Sequence, residues 1–259
     1  MKQTLILDSS NLQYRAYYAS EARPEYDKAG NPVAAVKLFR VMIQKLKRDY
    51  SPDLLIAGCD SRAPTFRTAL YPDYKANRRT PPEDYTKQRP GFLEVLEQEG
   101  VASYSALGFE ADDVIGTLAK KYSEQGDDVV IVSLDKDMAQ LVSISHDNGC
   151  VSLLNTNKNV MLDPLGVLGE YGVMPHEVCD YLALVGDSSD NVPGARGIGP
   201  KGAKLLIKQF GNVEALCARA GEISSGLYRH NVIIYKEWIL LSKKLVTIDC
   251  NAPVLPNFF

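Results

Sequence analysis

The sequence has few of the residues that build zinc sites, disulfide frameworks or membrane helices. It contains five widely spaced cysteines that form no Cys-x-x-Cys pair, and three scattered histidines, His146, His176 and His230. An odd number of dispersed cysteines indicates reduced thiols, so we expect a cytoplasmic protein without disulfides or zinc. No apolar run approaches the roughly 18 residues that a membrane helix needs, and the N-terminus is not typical of a signal peptide. We therefore expect no membrane partner.

The sequence also lacks a strong excess of either charge. Lys and Arg number 29 and Asp and Glu number 32, which gives a formal net charge of −3 at pH 7. This balance at first argues against a nucleic-acid partner. However, nine acids fall into five short clusters, and without those nine the remaining charge is positive. If bound cations neutralised these acids, the rest of the protein would present a basic surface that can bind phosphates.

The nine clustered acids lie mostly beside predicted strand ends and helix starts. They are Asp8, Asp60, Glu110, Asp112, Asp113, Asp135, Asp137, Asp187 and Asp190. One Mg²⁺ usually takes only one or two carboxylates directly, so nine of them predict at least two metal ions. Paired metals are the usual apparatus for cutting phosphodiesters. The alternative is that each acid caps a neighbouring helix or turn.

Apolar runs alternate with amphipathic segments in the first 160 residues. Buried strands are predicted at 4–7, 54–57 and 129–132, and helices at 33–50, 91–99 and 111–125. This alternation predicts an α/β fold with a mostly parallel central sheet. Ligands bind beyond the carboxyl ends of the strands in such sheets, which is where Asp8, Asp60 and Asp135 would lie.

The remaining segments differ in composition. Residues 71–90 are basic, aromatic and rich in proline, so we expect them to form a loop or half-ordered arch outside the core. Beyond residue 160 the pattern turns helical, with helices predicted near 163–171, 175–185, 201–209, 212–220 and 228–246. We therefore predict an α/β core at 1–160, with an arch at about 75–100, and a helical region at 161–259 that packs on the core.

Two glycine-rich segments in the helical region suggest binding functions. Asp187 and Asp190 lie three residues apart among small residues in the segment GDSSDNVPG, which suits a rigid metal-facing turn. The segment GIGPKGAK follows at 197–204, and we expect Gly197, Gly199, Lys201, Gly202 and Lys204 to bind a phosphate backbone at a helix start. No base-reading side chains are present, so this contact should be independent of sequence. The alternative is an ordinary glycine-rich helix–turn–helix.

The segment YKANRR at 74–79 offers one aromatic ring and three cations. Lys75 and Arg79 would share a helical face, and they could steer a phosphate toward the metals and stabilise developing charge. Tyr74 could stack on an unpaired base, and Arg78 adds a further positive charge. The alternative is a solvated basic loop.

These motifs together resemble the 5′-nuclease superfamily, which includes flap endonucleases, the 5′-nuclease domain of bacterial DNA polymerase I and phage 5′→3′ exonucleases. The matching stretches are LDSS at 7–10, YK with Arg79 at 74–79, EADDVIGTLA at 110–119, DKDMAQLV at 135–142, GDSSDN at 186–191 and the GIGPK turn. They are distributed from about residue 5 to residue 245. The resemblance is strongest to the polymerase I domain and its stand-alone relatives, so the chain is either free-standing or a domain of a longer polymerase.

The resemblance implies a particular fold and site. The fold would be a PIN-like α/β sheet with a helical arch, through which a single 5′ strand passes, and a helix-two-turn-helix element at about 186–210 that grips duplex DNA. One Mg²⁺ would be held by Asp8, Asp60, Glu110 and Asp112. The second metal and its water shell would be served by Asp113, Asp135, Asp137, Asp187 and Asp190. Mn²⁺ is expected to substitute, and a K⁺ ion would sit in the helix-two-turn-helix turn.

We therefore expect a monomeric, Mg²⁺-dependent DNA 5′-nuclease that cuts branched or nicked DNA with a 5′ flap or a 5′ end. Lys75 and Arg79 would assist hydrolysis electrostatically. The alternatives are a branched-DNA binding protein of the same fold that does not cut, a nucleotide-sugar transferase or phosphatase that uses Asp135 and Asp137, and a relative that cuts RNA. Pro81, Pro82 and Pro90 punctuate the expected arch and would shape it.

Overall fold

A computed structural model of the protein describes residues 1–61, 63–144 and 149–257. One seven-stranded sheet runs through this part of the chain, in the order β6-β5-β4-β1-β2-β3-β7. Its strands are β1 (Gln3–Asp8), β2 (Leu54–Gly58), β3 (Ala102–Ser105), β4 (Asp128–Val132), β5 (Val151–Asn155), β6 (Val160–Leu162) and β7 (Leu255–Pro256). The five central strands are parallel to one another, and the edge strands β6 and β7 pair antiparallel. The predicted α/β fold with a mostly parallel sheet is confirmed.

The α-helices of the described residues fall into two groups along the chain. Those of the α/β core are α1 (Ser9–Ser20), α2 (Ala34–Tyr50), α3 (Phe66–Leu70), α4 (Glu83–Gln98) and α5 (Ala111–Glu124). Those of the helical region are α6 (Pro164–Tyr171), α7 (Val178–Val185), α8 (Pro200–Phe210), α9 (Val213–Ala218), α10 (Gly226–Ile234) and α11 (Lys236–Val246). Short 3₁₀ turns cover Lys136–Leu141, Pro175–Glu177 and Ala220–Glu222.

The sheet separates two apolar layers because successive strand residues point to opposite faces. Leu5 and Leu7 face a layer formed with α1, α2 and α4, in which Phe39 and Phe92 pack edge to face with their ring centroids 5.2 Å apart. Ile6 faces the other layer, which is formed with α5, α7 and the end of α11. The two strands that flank β1 are therefore buried on both faces, which explains their nearly continuous apolar sequences.

The helical region packs directly on the α/β core. Leu245 and Val246 at the end of α11 belong to the same buried cluster as Ile6 and Ile131 of the sheet. A separate cluster, which includes Leu206 of α8 and Val213 of α9, lies within the helical region. The chain then returns to the sheet, where β7 pairs with β3 and Asn257 donates to the Ser103 hydroxyl at 3.1 Å.

Several predicted elements differ from the structure. The prediction that 71–90 lies outside the core is wrong for its aromatic residues, since Tyr74 and Tyr85 are buried and α4 begins at Glu83 rather than near 91. Pro90 lies inside α4 on its exposed side. The helix predicted at 228–246 is two helices that meet at Tyr235. Four strands, β3, β5, β6 and β7, were not predicted, since they are short and all four lie at or next to a sheet edge.

Among the described residues, none of the helices combines the length and the apolar character that a bilayer crossing requires.

Candidate metal and nucleic-acid site

Three of the predicted acids come together at one edge of the sheet because their strands are adjacent and parallel. Asp8 ends β1, Asp60 follows β2 and Asp135 follows β4. Asp8 also accepts a hydrogen bond from the Asn11 N–H at 3.0 Å and thus caps α1, and Asp135 likewise accepts from the Asp137 N–H at 2.9 Å. Both acids therefore act as caps, as the alternative reading expected, and also lie at the carboxyl edge.

The start of α5 brings further acids to the same edge. Glu110 is the N-cap residue of α5, and Asp112 lies in its first turn. Asp60 accepts a hydrogen bond from the Ala111 N–H at 3.0 Å, so the acid after β2 is attached to the start of this helix. The Ser10 hydroxyl donates to the other Asp60 oxygen at 2.6 Å. Carboxylates at a helix N-terminus are favoured by its dipole.

A tight loop between α7 and α8 supplies the last pair of acids. Asp187 and Val192 exchange two backbone hydrogen bonds of 2.9 and 2.7 Å, which close the loop. Gly186 and Gly194 lie at its base with φ of +78° and +61°, and a Cβ added to Gly194 would lie 2.5 Å from the Gly186 nitrogen. The two glycines are therefore required for the backbones to meet, and they aim Asp187 and Asp190 at the core.

The acids at this edge are close enough to repel one another. Burial raises the pKa of Asp8 to about 7, and repulsion from Asp60 and Asp135 contributes to the increase. Burial also raises the pKa of Asp112 well above its usual range, with repulsion from Asp135 and Asp8. The pKa of Asp135 is raised in the same way, by burial and by the charge of Asp190. The structure therefore brings acids from distant parts of the sequence into one shared space.

Asp137 has an unusual environment in this group. Burial raises its pKa well above the usual range, and Asp135 and Asp187 add repulsion. One of its carboxylate oxygens, Oδ1, is buried without a hydrogen-bond partner among the described residues. A buried acceptor without a partner is costly, and a bound cation would provide the interaction that this oxygen lacks.

Positive side chains lie between the acids. The Lys75 ammonium is 2.7 Å from Glu110 Oε1 and 3.5 Å from Asp190 Oδ2. The Arg78 guanidinium is 2.5 Å from Asp190, and Lys136 is 2.9 Å from Asp187. None of these three cations was predicted to contact the acids. For Lys136, its place between Asp135 and Asp137 could have suggested the contact.

The Arg78 side chain reaches the acidic cluster, whereas Arg79 was the residue predicted to act on the phosphate beside Lys75. Lys75 has a positive φ of 57°, and the Arg78 N–H bonds back to the Lys75 carbonyl in a turn. The helical spacing that would place Lys75 and Arg79 on one face is therefore absent from this segment. Arg79 is exposed, and among the described contacts it forms no ion pair.

Asp113 does not join the other acids. It is fully buried, and both of its oxygens receive hydrogen bonds of 2.7 Å from the Arg67 guanidinium. It also accepts from the Glu110 N–H at 3.1 Å and completes a capping box. Its place is structural, so we leave it out of the metal set. Arg67 was missed, although it is the only charged residue between 63 and 72.

The donors at this edge fit a hard divalent cation by their chemistry. They are carboxylate oxygens, which Mg²⁺ and Mn²⁺ prefer, and burial and repulsion disfavour their charged forms unless a cation is bound. In the described part of the chain, no three such side chains are already arranged around a single point. Holding an ion would therefore require these side chains to turn toward it and away from Lys75 and Lys136.

The predicted DNA-binding residues around the start of α8 differ in how exposed they are. Lys201 is exposed at the start of α8, whereas Lys204 is half-buried with its ammonium 5.8 Å from the Tyr181 ring centroid. Gly197 has a φ of +81° and Gly199 is the N-cap residue of α8. Gly202 faces the Tyr228 ring, which a Cβ would approach to 2.8 Å, so this glycine serves helix packing.

Tyr74 is also not free to stack on a base. Its side chain is only 8% exposed, and its hydroxyl donates to Glu110 at 3.0 Å. The remaining scarce residues form no site in the described chain: the five cysteines are free thiols, and His176 and His230 are far apart in sequence. His146 lies outside the described residues.

Two family models match this chain. The family model for the 5′-3′ exonuclease N-terminal resolvase-like domain matches residues 3–172, and that for the 5′-3′ exonuclease C-terminal SAM fold matches residues 173–258. Together the two matches cover nearly the whole chain.

Individual relatives differ in how much of them the chain spans. It is 36% identical over 260 residues to a 5′-3′ exonuclease of Buchnera aphidicola subsp. Schizaphis graminum, covering 98% of this chain and 88% of that protein. It is 34% identical over 257 residues to DNA polymerase I of Bacillus subtilis, covering 98% of this chain but 28% of the polymerase. A solved complex of the bacteriophage T5 D15 flap endonuclease with DNA and metal ions shares the fold, with a TM-score of 0.76, 23% identity, and coverage of 96% of this chain and 89% of that one.

Proposed function

This chain belongs to the 5′-3′ exonuclease family, and we propose that it is a Mg²⁺-dependent, structure-specific DNA 5′-nuclease that cuts 5′ flaps and degrades 5′ ends. The observation that supports this most strongly is the group of buried, mutually repelling acids beyond the carboxyl ends of the central strands. Holding those acids in a low-dielectric site is costly, and two divalent cations would offset that cost.

We assign the acids to two ions by the elements that carry them. Asp8, Asp60, Glu110 and Asp112 come from β1, the end of β2 and the start of α5, and they would hold one ion. The second ion would be held by Asp135, Asp137, Asp187 and Asp190, which come from the 3₁₀ turn after β4 and the loop after α7. When bound, such a pair of ions strengthens a water nucleophile and stabilises the leaving oxygen of a phosphodiester.

The cationic side chains of the site would act on the phosphate directly. Lys75 and Arg78 already lie beside Glu110 and Asp190, and turning away from these acids would let them contact the scissile phosphate and stabilise its developing charge. The Tyr74 hydroxyl, which bonds to both Glu110 and Asp190, would orient the two acids. Arg79, on the exposed surface, is better placed to contact DNA outside the reaction centre.

The substrate would be held from two sides. The glycine turn before α8, with Lys201 and Lys204, would bind the backbone of the duplex without reading its sequence, and carbonyls of that turn would hold K⁺. The segment from about 75 to 100 would cover the single 5′ strand as an arch. We further propose that the protein acts as a monomer in the cytoplasm, where its free thiols would stay reduced.

Cleavage of a labelled 5′-flap substrate and a nicked duplex, with Mg²⁺ and with chelator, tests this function. We expect Mg²⁺-dependent cutting near the flap junction. Asp135→Asn and Asp187→Asn should keep flap binding but lose several orders of magnitude in rate, since both acids face the reaction centre. Flap binding without any cutting by the wild-type protein would instead favour a branched-DNA binding protein. Near-normal rates from both variants would contradict the metal assignment.

A further inference from the structure

Arg67 connects three parts of the chain that are far apart in sequence. Its side chain in α3 is almost completely buried. The guanidinium forms a two-point contact with Asp113 at 2.7 Å for each bond. It also donates to the Leu245 and Thr247 carbonyls at 2.7 and 2.9 Å. The core helix α5 and the end of α11 are therefore attached to the same side chain.

The same guanidinium reaches the proposed metal site. Arg67 Nη1 lies 3.3 Å from Glu110 Oε2, and Glu110 also binds Lys75 and Tyr74. Asp113 also accepts a hydrogen bond from the Glu110 backbone N–H, and it accepts another from the Asp249 N–H at 2.8 Å. Arg67 thus contacts Glu110 directly and supports it again through Asp113.

This arrangement has one consequence for α5. Asp113 is buried, so without the guanidinium its charge would be left unpaired, and the side chain would move from its place. That movement would loosen the capping box that sets the first turn of α5. The same turn carries Asp112, one of the acids proposed to hold the first ion.

We propose that Arg67 is a positioning residue for the nuclease reaction: it holds Glu110 and the first turn of α5 in place for metal binding. This inference rests on the proposed function. Residues that orient metal ligands from behind typically change metal affinity or activity by about 10- to 100-fold.

Gln140 provides a control, because it joins the core to the same segment without contacting Glu110, and it touches the acids only through the Asp137 backbone carbonyl, at 2.9 Å. Its amide donates to the Val246 carbonyl at 3.0 Å and accepts from the Ile248 N–H at 3.0 Å. Arg67→Met and Gln140→Leu therefore both remove polar contacts to the end of α11. Only the first removes the contact with the acids at the start of α5.

The experiment measures Mn²⁺ binding to the protein without DNA, by electron paramagnetic resonance of the free ion, together with single-turnover flap cleavage and flap affinity. For Arg67→Met we expect Mn²⁺ affinity to fall about 10-fold or more and the cleavage rate by about 100-fold, with flap affinity nearly unchanged. Gln140→Leu should lower the melting temperature while leaving Mn²⁺ affinity within about twofold of wild type.

Arg67→Lys guards against a variant that does not fold, because it keeps a buried positive charge but cannot form the two-point contact. We expect it to remain folded with Mn²⁺ affinity between those of wild type and Arg67→Met. Unchanged Mn²⁺ binding in the folded Arg67 variants, or an equal loss in Gln140→Leu, would overturn the positioning role while leaving the nuclease function intact. A wild-type protein that neither binds Mn²⁺ nor cuts flaps would overturn both.

Discussion

At the scale of single residues, Asp8 caps a helix in surroundings that disfavour the ionised form of its side chain. It accepts hydrogen bonds from the Asn11 N–H and the Ser133 hydroxyl, which favour ionisation. Burial and the neighbouring acids outweigh both, so its pKa rises to about 7. In the folded protein the Asp8 carboxyl group therefore stays protonated to a pH well above the usual pKa of an aspartic acid.

The stability of the protein should consequently fall as the pH rises. A raised pKa means that the folded state binds the proton more tightly than the unfolded state, so this contribution is complete at low pH and is lost between about pH 4 and 7. In chelator, we expect Asp8→Asn to be more stable than wild type, with a difference that grows by on the order of 2 kcal/mol from pH 5 to pH 8. Denaturant unfolding at both pH values measures it.

Asp163→Asn is a suitable comparison, because Asp163 also caps a helix, α6, but lies on the exposed surface outside the acidic cluster. Because Asn caps a helix about as well as Asp, Asp163→Asn should have nearly wild-type stability at both pH values. A difference in stability between Asp8→Asn and wild type that is the same at pH 5 and pH 8 would contradict the assigned environment of Asp8.

Lys75 yields a second prediction at this scale. Lys75→Met keeps the length of the side chain but removes the ammonium that lies beside Glu110 and Asp190. We expect single-turnover flap cleavage to fall by about 100- to 1,000-fold with little change in flap affinity, as is typical when one group that stabilises the transition state is removed. Lys45→Met, which breaks a surface pair with Asp49 on α2, should cut normally. Comparable rates for the two variants would exclude a catalytic part for Lys75.

The contacts of some single residues could not be predicted from the sequence. The acids were found because each follows an apolar run or opens a helix, and those patterns are local. Whether Arg78 or Arg79 reaches the acids depends on a turn at Lys75 with positive φ, which no spacing rule for helices would predict. Asp113 was grouped with its neighbours because its partner, Arg67, is 46 residues away in sequence.

At the scale of secondary structure elements, α8 and the turn before it are predicted to contact duplex DNA. Lys201→Glu with Lys204→Glu should weaken binding to a nicked duplex and flatten the slope of log affinity against log salt by about 2, since each lost phosphate contact removes nearly one unit. Lys120→Glu with Lys121→Glu makes the same change in charge near the other end of α5, and its salt slope should match that of wild type. Identical slopes for both double variants would rule out the proposed contact.

The elements that the sequence predicted well share a strong internal pattern. In α2, Ala35, Phe39, Ile43 and Leu46 recur at helical spacing, and its bounds are within one residue of those expected. The start of α4 was missed because Tyr85 and Gln88 are buried by tertiary contacts: Tyr85 stacks on Tyr14 with ring centroids 4.3 Å apart. A basic, proline-rich composition does not reveal such partners.

At the scale of the whole molecule, the predicted division at residue 160 does not correspond to a break in the core. Ile6 and Ile131 of the sheet share one buried cluster with Leu245 and Val246, and β7 completes the sheet from the far end of the chain. The two-part organisation itself stays a prediction. The change in sequence periodicity near residue 160 suggested the boundary between the two parts. The extent of contact across it could not be predicted, because β7, the strand that returns to the sheet, is only two residues long.

Thermal unfolding should therefore show one cooperative transition by calorimetry, with equal calorimetric and van't Hoff enthalpies. A fragment of residues 1–160 should unfold without cooperativity, because it lacks the α7 and α11 side chains that cover one face of the sheet. Two separate transitions in the full chain, or a cooperative fragment, would contradict a continuous core.

The close approach of the Gly186 and Gly194 backbones limits how the loop between them can be redesigned. Because each backbone occupies the space of the other residue's missing side chain, random libraries that vary both positions would consist mainly of misfolded clones. Ser188 and Ser189 are exposed at the tip, so diversity introduced there would survive selection and could tune ion preference without disturbing the closure beneath.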